Sequence, residues 1–316
     1  MIKLREWNAL SGQLNHEQVS GHIKGIYFEF RGTAQTAQIG ALADVAEIKI
    51  DWAKRNSAVV LSMTRLAQIS TLKGGRIGDR ANTAGAFYFG AYYPCTIWGD
   101  DNAYFLTKKD NFNIQVKFAS TLTSTIYATA TFSIFLDEGE GLMKYMVGLE
   151  QLTQGGLTAN STTQPIEYTR ENVVAVYITP STNIDALQVS RGGSTYDMTF
   201  EGWRNTTWYR NALESNAQET APAFTLNTPD MVELWLAGHG SYSEMLVDGV
   251  KIVFDSAATA PTPDLIFLTL DFLPDKLDES AVAIRSKLTT RTANKQTSGH
   301  ARPIQVINKL QNPSSI

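Results

Sequence analysis

Apolar and polar residues alternate with period two through much of this chain, and that alternation predicts strands. From His22, Ile26, Phe28 and Phe30 face one way while Tyr27, Glu29 and Arg31 face the other. Ile48 and Ile50 alternate with Lys49 and Asp51, Ala58–Met63 is a third strand, and TRLAQISTL from Thr64 is helix-like until Gly74-Gly75 stops it. Ala86–Trp98 is aromatic-rich, and its Pro94 argues against a central strand there. Ala103–Thr107, Phe112–Ala119 and Tyr127–Asp137 follow, so the first half holds about eight strands at the spacing of a sandwich.

The order then repeats. Val174, Val176 and Ile178 alternate, as do Leu187 and Val189. Gly192-Gly193 marks a turn, and an aromatic helix is predicted near Gly202–Asn216, presenting Trp203, Trp208, Tyr209 and Leu213. Met231–Ala237 is a strand, Tyr242–Val247 is expected to pair with Val250–Phe254 across Asp248-Gly249, and Leu265–Leu273 closes the half as Thr131–Glu138 closes the first. The expected division is an N-terminal arm or short helix at 1–21, a first sandwich at 22–138, a connector at 139–171, a second sandwich at 172–274 and a tail at 275–316. Leu142, Met146, Leu149 and Leu152 give the connector a helix-like pattern.

Charge changes the picture of the tail. Residues 281–316 carry Arg285, Lys287, Arg291, Lys295, Arg302 and Lys309 and no acidic residue, leaving 21 basic against 31 acidic residues, net −10, in the rest. An acidic body with a basic tail points to a partner for the tail: a neighbouring subunit, an anionic lipid surface or nucleic acid. The whole chain, at −4, has no charge excess for binding nucleic acid. Cys95 is the only cysteine, so core burial and not cross-linking must stabilise the fold. MIKLREWNAL has no apolar signal region and no run approaches a bilayer span, so the chain is expected to be soluble when made, in a cytoplasm.

Candidate chemistry is sparse. His16, His22, His239 and His300 are dispersed and fall in no metal spacing. The acidic turns Asp100-Asp101 and Asp137-Glu138 with Glu140 offer oxygen ligands of the kind calcium takes, without the EF-hand spacing. Solvated turns without cofactor are the expectation. Trp203 and Trp208 at helical spacing fit core or interface anchors better than a sugar-stacking platform. No arrangement points to catalysis, and the chain is expected not to be an enzyme.

In IKGIYFEFRG and AEIKIDWAKR, and more clearly in VVAVYITPSTNIDALQVSRGGSTYDMTFEGWRNTTWYRNAL, strand, turn, strand and Trp-bearing helix come in a familiar order. The chain resembles the double-jelly-roll major capsid proteins of tailless icosahedral phages with an internal membrane, of the corticovirus-like and finnlakevirus-like kind. The resemblance implies an all-β fold of two tandem eight-stranded jelly rolls with short inserted helices. It also implies a non-catalytic coat subunit forming homotrimers of pseudo-hexagonal outline, located in the virion capsid. Its partners would be lattice neighbours and other virion proteins such as penton or spike. In such a trimer the basic tail residues would clamp subunits or meet anionic lipid. The alternatives are a carbohydrate- or receptor-binding β-sandwich of spike or lectin type and a two-domain glycan-processing enzyme.

Overall fold

The computed structural model describes residues 1–34, 42–52, 55–73, 86–95, 104–106, 112–122, 127–139, 145–153, 157–160, 166–168, 173–179, 183–191, 194–210, 231–235, 250–257 and 259–272. The chain falls into two compact units, Met1–Asp271 and Phe272–Ile316, and the elements below belong to the first, apart from the last residue of the final strand.

The first repeat runs β1 (Ile2–Asn8), β2 (Leu14–Val19), β3 (Gly21–Ala34), β4 (Val45–Trp52), β5 (Arg55–Leu61), α1 (Met63–Leu72), β6 (Ala86–Pro94), β7 (Tyr104–Leu106), β8 (Phe112–Phe118) and β9 (Tyr127–Glu138). One sheet has the order β1-β9-β3-β6, with β7 also on β3; the facing strands run β2-β8-β4-β5. The second repeat runs β10 (Tyr145–Thr153), β11 (Ile166–Tyr168), β12 (Val173–Ile178), β13 (Ile184–Arg191), β14 (Ser194–Thr199), α2 (Phe200–Arg210), β15 (Val232–Trp235), β16 (Val250–Ser256) and β17 (Asp264–Phe272). Its strands are ordered β10-β17-β12-β15 and β11-β16-β13-β14. With β7 set aside, the two orders are identical strand for strand, and each is the eight-stranded jelly roll. Each helix follows the fifth strand of its roll.

The rolls share a sheet. β10 lies between β17 and β5, so β15-β12-β17-β10-β5-β4-β8-β2 is one eight-stranded sheet crossing both repeats. The joint is a parallel pair, Leu149 opposite Val59 and Glu150 opposite Val60. β10 and β5 need not be joined by a hairpin, because β6 to β9 intervene as the long crossover a parallel pair demands.

Two expectations change. The stretch expected as an arm or short helix at 1–21 is β1 and β2, paired to β9 and β8. The connector expected at 139–171 contains β10, where a helix was expected, and β11. Each roll therefore starts one strand pair earlier than its alternation does. Met146–Leu149 are all buried, because β10 is central in the shared sheet and covered on both faces; such a strand has no period-two signature. The hairpin expected across Asp248-Gly249 has one half outside the described residues. In the other half, Lys251 and Ile252 have β11 on one edge and β13 on the other.

The first core is aromatic. Phe132 on β9 stacks on Trp7 of β1 (ring centroids 6.3 Å) and meets Phe28 of β3 and Phe118 of the opposite sheet, each at 5.9 Å. The second core joins Val176, Ile178, Val232, Leu234, Leu265 and Phe267 to Leu187, Val189, Ile252 and Phe254 across the sandwich, with Phe200 of α2 and a partly buried Trp203 closing it.

The outward face of the first sheet is held by tyrosines. The Tyr92 ring lies across Gly25 and the Tyr27 ring across Gly90; a Cβ at either glycine would sit 2.1 Å from the tyrosine oxygen. Tyr92 donates to Asp137 (2.8 Å), and the Tyr27 and Tyr88 hydroxyls share a hydrogen bond of 2.5 Å. Burial first, then these bonds, push both Tyr92 and Tyr27 above the ordinary tyrosine value of 10.0. Buried Tyr177 shifts the same way, from burial and then the nearby Glu233 carboxylate. A raised folded value means that the fold favours the neutral phenol. The stability this contributes is complete below pH 10 and is lost as pH climbs past it. An alkaline titration of tyrosinate absorbance should therefore leave part of the twelve tyrosines silent near pH 10. Those tyrosines should titrate only as circular dichroism reports unfolding.

Candidate functional site

The features best placed to serve function are the joint between the rolls and the strand edges left outside it. α1 begins where Ser62 caps it, the Ser62 Oγ accepting from the Arg65 N–H at 3.3 Å. Met63, Leu66, Ala67, Ile69 and Ser70 form its buried stripe, at the helical spacing that the sequence showed. Lys73 ends it, donating its backbone N–H to Ile69 and Ser70.

The helix packs along β6, covering the edge of the first sheet. From there it reaches the second roll through two ion pairs. Arg65 donates from Nε (2.9 Å) and Nη2 (2.6 Å) to Asp264 Oδ2 at the start of β17. Lys73 Nζ lies 2.5 Å from Glu233 Oε1 on β15 and 5.8 Å from the centre of the Trp235 ring. The Glu233 side chain is wholly buried and that of Lys73 is 13% exposed, so this pair is inside the protein.

Register explains why these charges meet. Tyr177 lies opposite both Glu233 and Ile266, and Ala175 opposite both Trp235 and Leu268. Those residues form the face of β15-β12-β17 that points away from the second core. Asp264 joins them by alternation, and the face meets α1 through Arg65 and Lys73. Burial on both faces is why β12 and 265–270 of β17 are continuously buried and, Thr269 apart, apolar.

α2 does for the second roll what α1 does for the first. Thr199 Oγ1 accepts from the Gly202 N–H at 3.2 Å, the cap position that Ser62 holds for α1. Thr207 Oγ1 accepts the Glu233 N–H at 2.9 Å, tying α2 along β15. Glu233 therefore has its backbone held by α2 and its carboxylate held by α1.

The sequence-derived candidates are dispersed by the fold. Asp137 and Glu138 are consecutive residues of β9 and so project to opposite faces; Asp137 is bonded to Tyr92. Asp100, Asp101 and Glu140 lie outside the described residues. Among the described residues, no three His, Cys, Asp or Glu side chains converge to hold a metal. Trp203 is a core anchor: its indole N–H donates to the Leu187 carbonyl at 3.1 Å and its ring packs on the second core. Trp208 lies on α2 with its side chain outside the description, and Arg285, Lys287, Arg291, Lys295, Arg302 and Lys309 lie outside it altogether. Cys95 is buried, and burial pushes its thiol well above the ordinary value. Among the described residues no helix is long and apolar enough to cross a membrane.

Sequence reasoning missed Arg65, Lys73, Glu233 and Asp264. One signal was present: Glu233 interrupts the apolar run of Met231–Leu236, an acid in a strand with no polar face.

No protein-family model matches the chain, and no curated protein matches its sequence. Solved structures do match in fold. The major capsid protein of bacteriophage PM2 superposes with a TM-score of 0.60 at 9% identity, over 86% of this chain and 97% of that one. The STIV MCP gives 0.60 at 9% identity over 86% and 96%. A chain from the atomic structure of Sulfolobus turreted icosahedral virus gives 0.62 at 10% identity over 92% and 96%. At such identities the likeness establishes the fold, a double jelly roll spanning nearly the full length of each relative.

Proposed function

We propose that this chain is a major capsid protein, a non-catalytic coat subunit whose homotrimers tile an icosahedral shell around an internal membrane. The observation that carries the proposal is the fusion of two complete, identically ordered jelly rolls into one body through a shared sheet. Three such chains place six like sandwiches around a three-fold axis, a near-hexagonal tile, and closed symmetry removes strand edges that would otherwise aggregate. Proteins of the same double fold include one described as the major capsid protein of a bacteriophage.

The clustered basic residues between Arg285 and Lys309 are assigned to contacts with a neighbouring subunit or with anionic lipid, worth about 1 kcal/mol per cation near such a surface. Penton or spike proteins of the same virion are the other expected partners. A carbohydrate-binding reading gains no support from Trp203, whose ring and N–H are both engaged internally.

The test is the mass of the purified protein in solution by light scattering. We expect three times 34.8 kDa, unchanged by EDTA. A monomer at every concentration would count against the coat subunit. The full chain is also expected to sediment with vesicles containing anionic lipid and not with neutral ones. Added salt should abolish that binding, because the attraction acts within a Debye length. Equal binding to neutral vesicles would remove the lipid role from the tail.

A further inference from the structure

Resting on the trimer proposed above, we infer that β14 of one copy pairs in parallel with β1 of the next, repeating between chains the joint that β5 and β10 make within one. The identical strand orders fix the equivalence: β5 and β14 are the fifth strands of their rolls, and β1 and β10 the first. Inside the chain, fifth strand meets first strand edge to edge. Among the described strands, β14 has only β13 beside it and β1 only β9, so the fifth strand of roll two and the first of roll one are left as open edges.

The side chains agree with this position by position. Ser62 and Thr199 are equivalent helix caps, which aligns Leu61 with Met198 and Val59 with Tyr196. The hairpin registers give the same alignment: Leu61 and Val59 lie opposite Ile48 and Ile50, and Met198 and Tyr196 lie opposite Leu187 and Val189. All four therefore point to the apolar side of their sheet. Where β10 extends the sheet, Val59 and Leu61 are 0% and 2% exposed; where nothing described extends it, Tyr196 and Met198 are 57% and 37% exposed.

Of the eight large hydrophobic side chains exposed among the described residues, two are these. Four more, Met1, Ile2, Leu10 and Leu14, lie along β1, β2 and their connection. Exposed apolar side chains thus occur on both edges that the repeat predicts will meet, Tyr196 and Met198 on β14 and Ile2 on β1, while Leu14 belongs to β2 at the far end of the shared sheet. β1 also presents Arg5, its side chain 57% exposed and 3.5 Å from Glu17 of its own chain, and β14 presents exposed Asp197. An open strand edge is a template for strand addition. Because the two edges differ, the contact is head-to-tail, and it closes as a ring if the rotation per copy is one third of a turn.

The test uses the full chain, in which the one native thiol is buried. Ile2→Cys and Tyr196→Cys are made singly and together and treated with a flexible bis-maleimide. The double variant should give covalent trimers, the two single variants co-expressed should give heterodimers, and neither single variant alone should link to itself. In parallel, Tyr196→Lys should leave circular dichroism unchanged and convert the light-scattering mass from three chains to one. A trimeric protein without these links, or single variants that dimerise with themselves, overturns the strand pairing while the trimer stands. A wild-type protein that is monomeric overturns the trimer and the pairing with it.

Discussion

Lys73→Met will destabilise the protein by about 3–5 kcal/mol, the cost of leaving a buried carboxylate without its counter-charge. Glu233 is wholly buried on β15, and Lys73 is the cation beside it at 2.5 Å. Denaturant titration of the variant should show the midpoint fall with the slope retained. The double variant Lys73→Met with Glu233→Leu should regain most of the loss, because replacing both partners by apolar groups removes the desolvation penalty with the attraction. The coupling in that cycle separates the ion pair from the packing of the lysine stem on Trp235. A single variant as stable as the parent would mean that water or another cation reaches Glu233. The pair joins the end of a helix in roll one to a strand of roll two, so its loss is expected to loosen the joint before either sandwich opens.

Phe132→Ala should cost about 3–5 kcal/mol as well, by a different route. The ring is fully buried and lies within 6.3 Å, centroid to centroid, of Trp7, Phe28 and Phe118. Those three come from β1, β3 and β8, so the cavity would open against both sheets of the first roll at once. Close-packed strands cannot collapse into such a gap without breaking ladder hydrogen bonds. Tyr196→Ala, at an exposed edge position, is the control and should lie within about 0.5 kcal/mol of the parent as a monomer. Similar losses at both positions would mean that Tyr196 is covered in the isolated chain.

What the sequence made legible depended on where each strand lies. β3, β4 and β8 have one face in a core and one outside it, and their alternation placed them. β1 has two of its seven residues partly buried and none fully, so Ile2, Leu4, Trp7 and Leu10 gave a spacing that suits a helix as well as a strand. Pro94 was a sound guide, since β6 ends there at the edge of its sheet. The candidate site was hardly legible. Arg65 and Asp264 are 199 residues apart and Lys73 and Glu233 are 160 apart, and no local pattern links such pairs.

The sequence by itself determined the fold class, the duplication, a helix after the third alternating strand of each half and the absence of an intrachain disulfide. Each of these follows from residue type and short-range period, which the chain carries locally. Only the tertiary structure decided that the repeats begin one strand pair earlier, that they share a sheet through β10, and that α1 binds roll two through buried charge. It also decided which edges remain open. Strand partners are chosen by long-range register and by competition for edges, and an edge is open or closed only once every other strand has been placed.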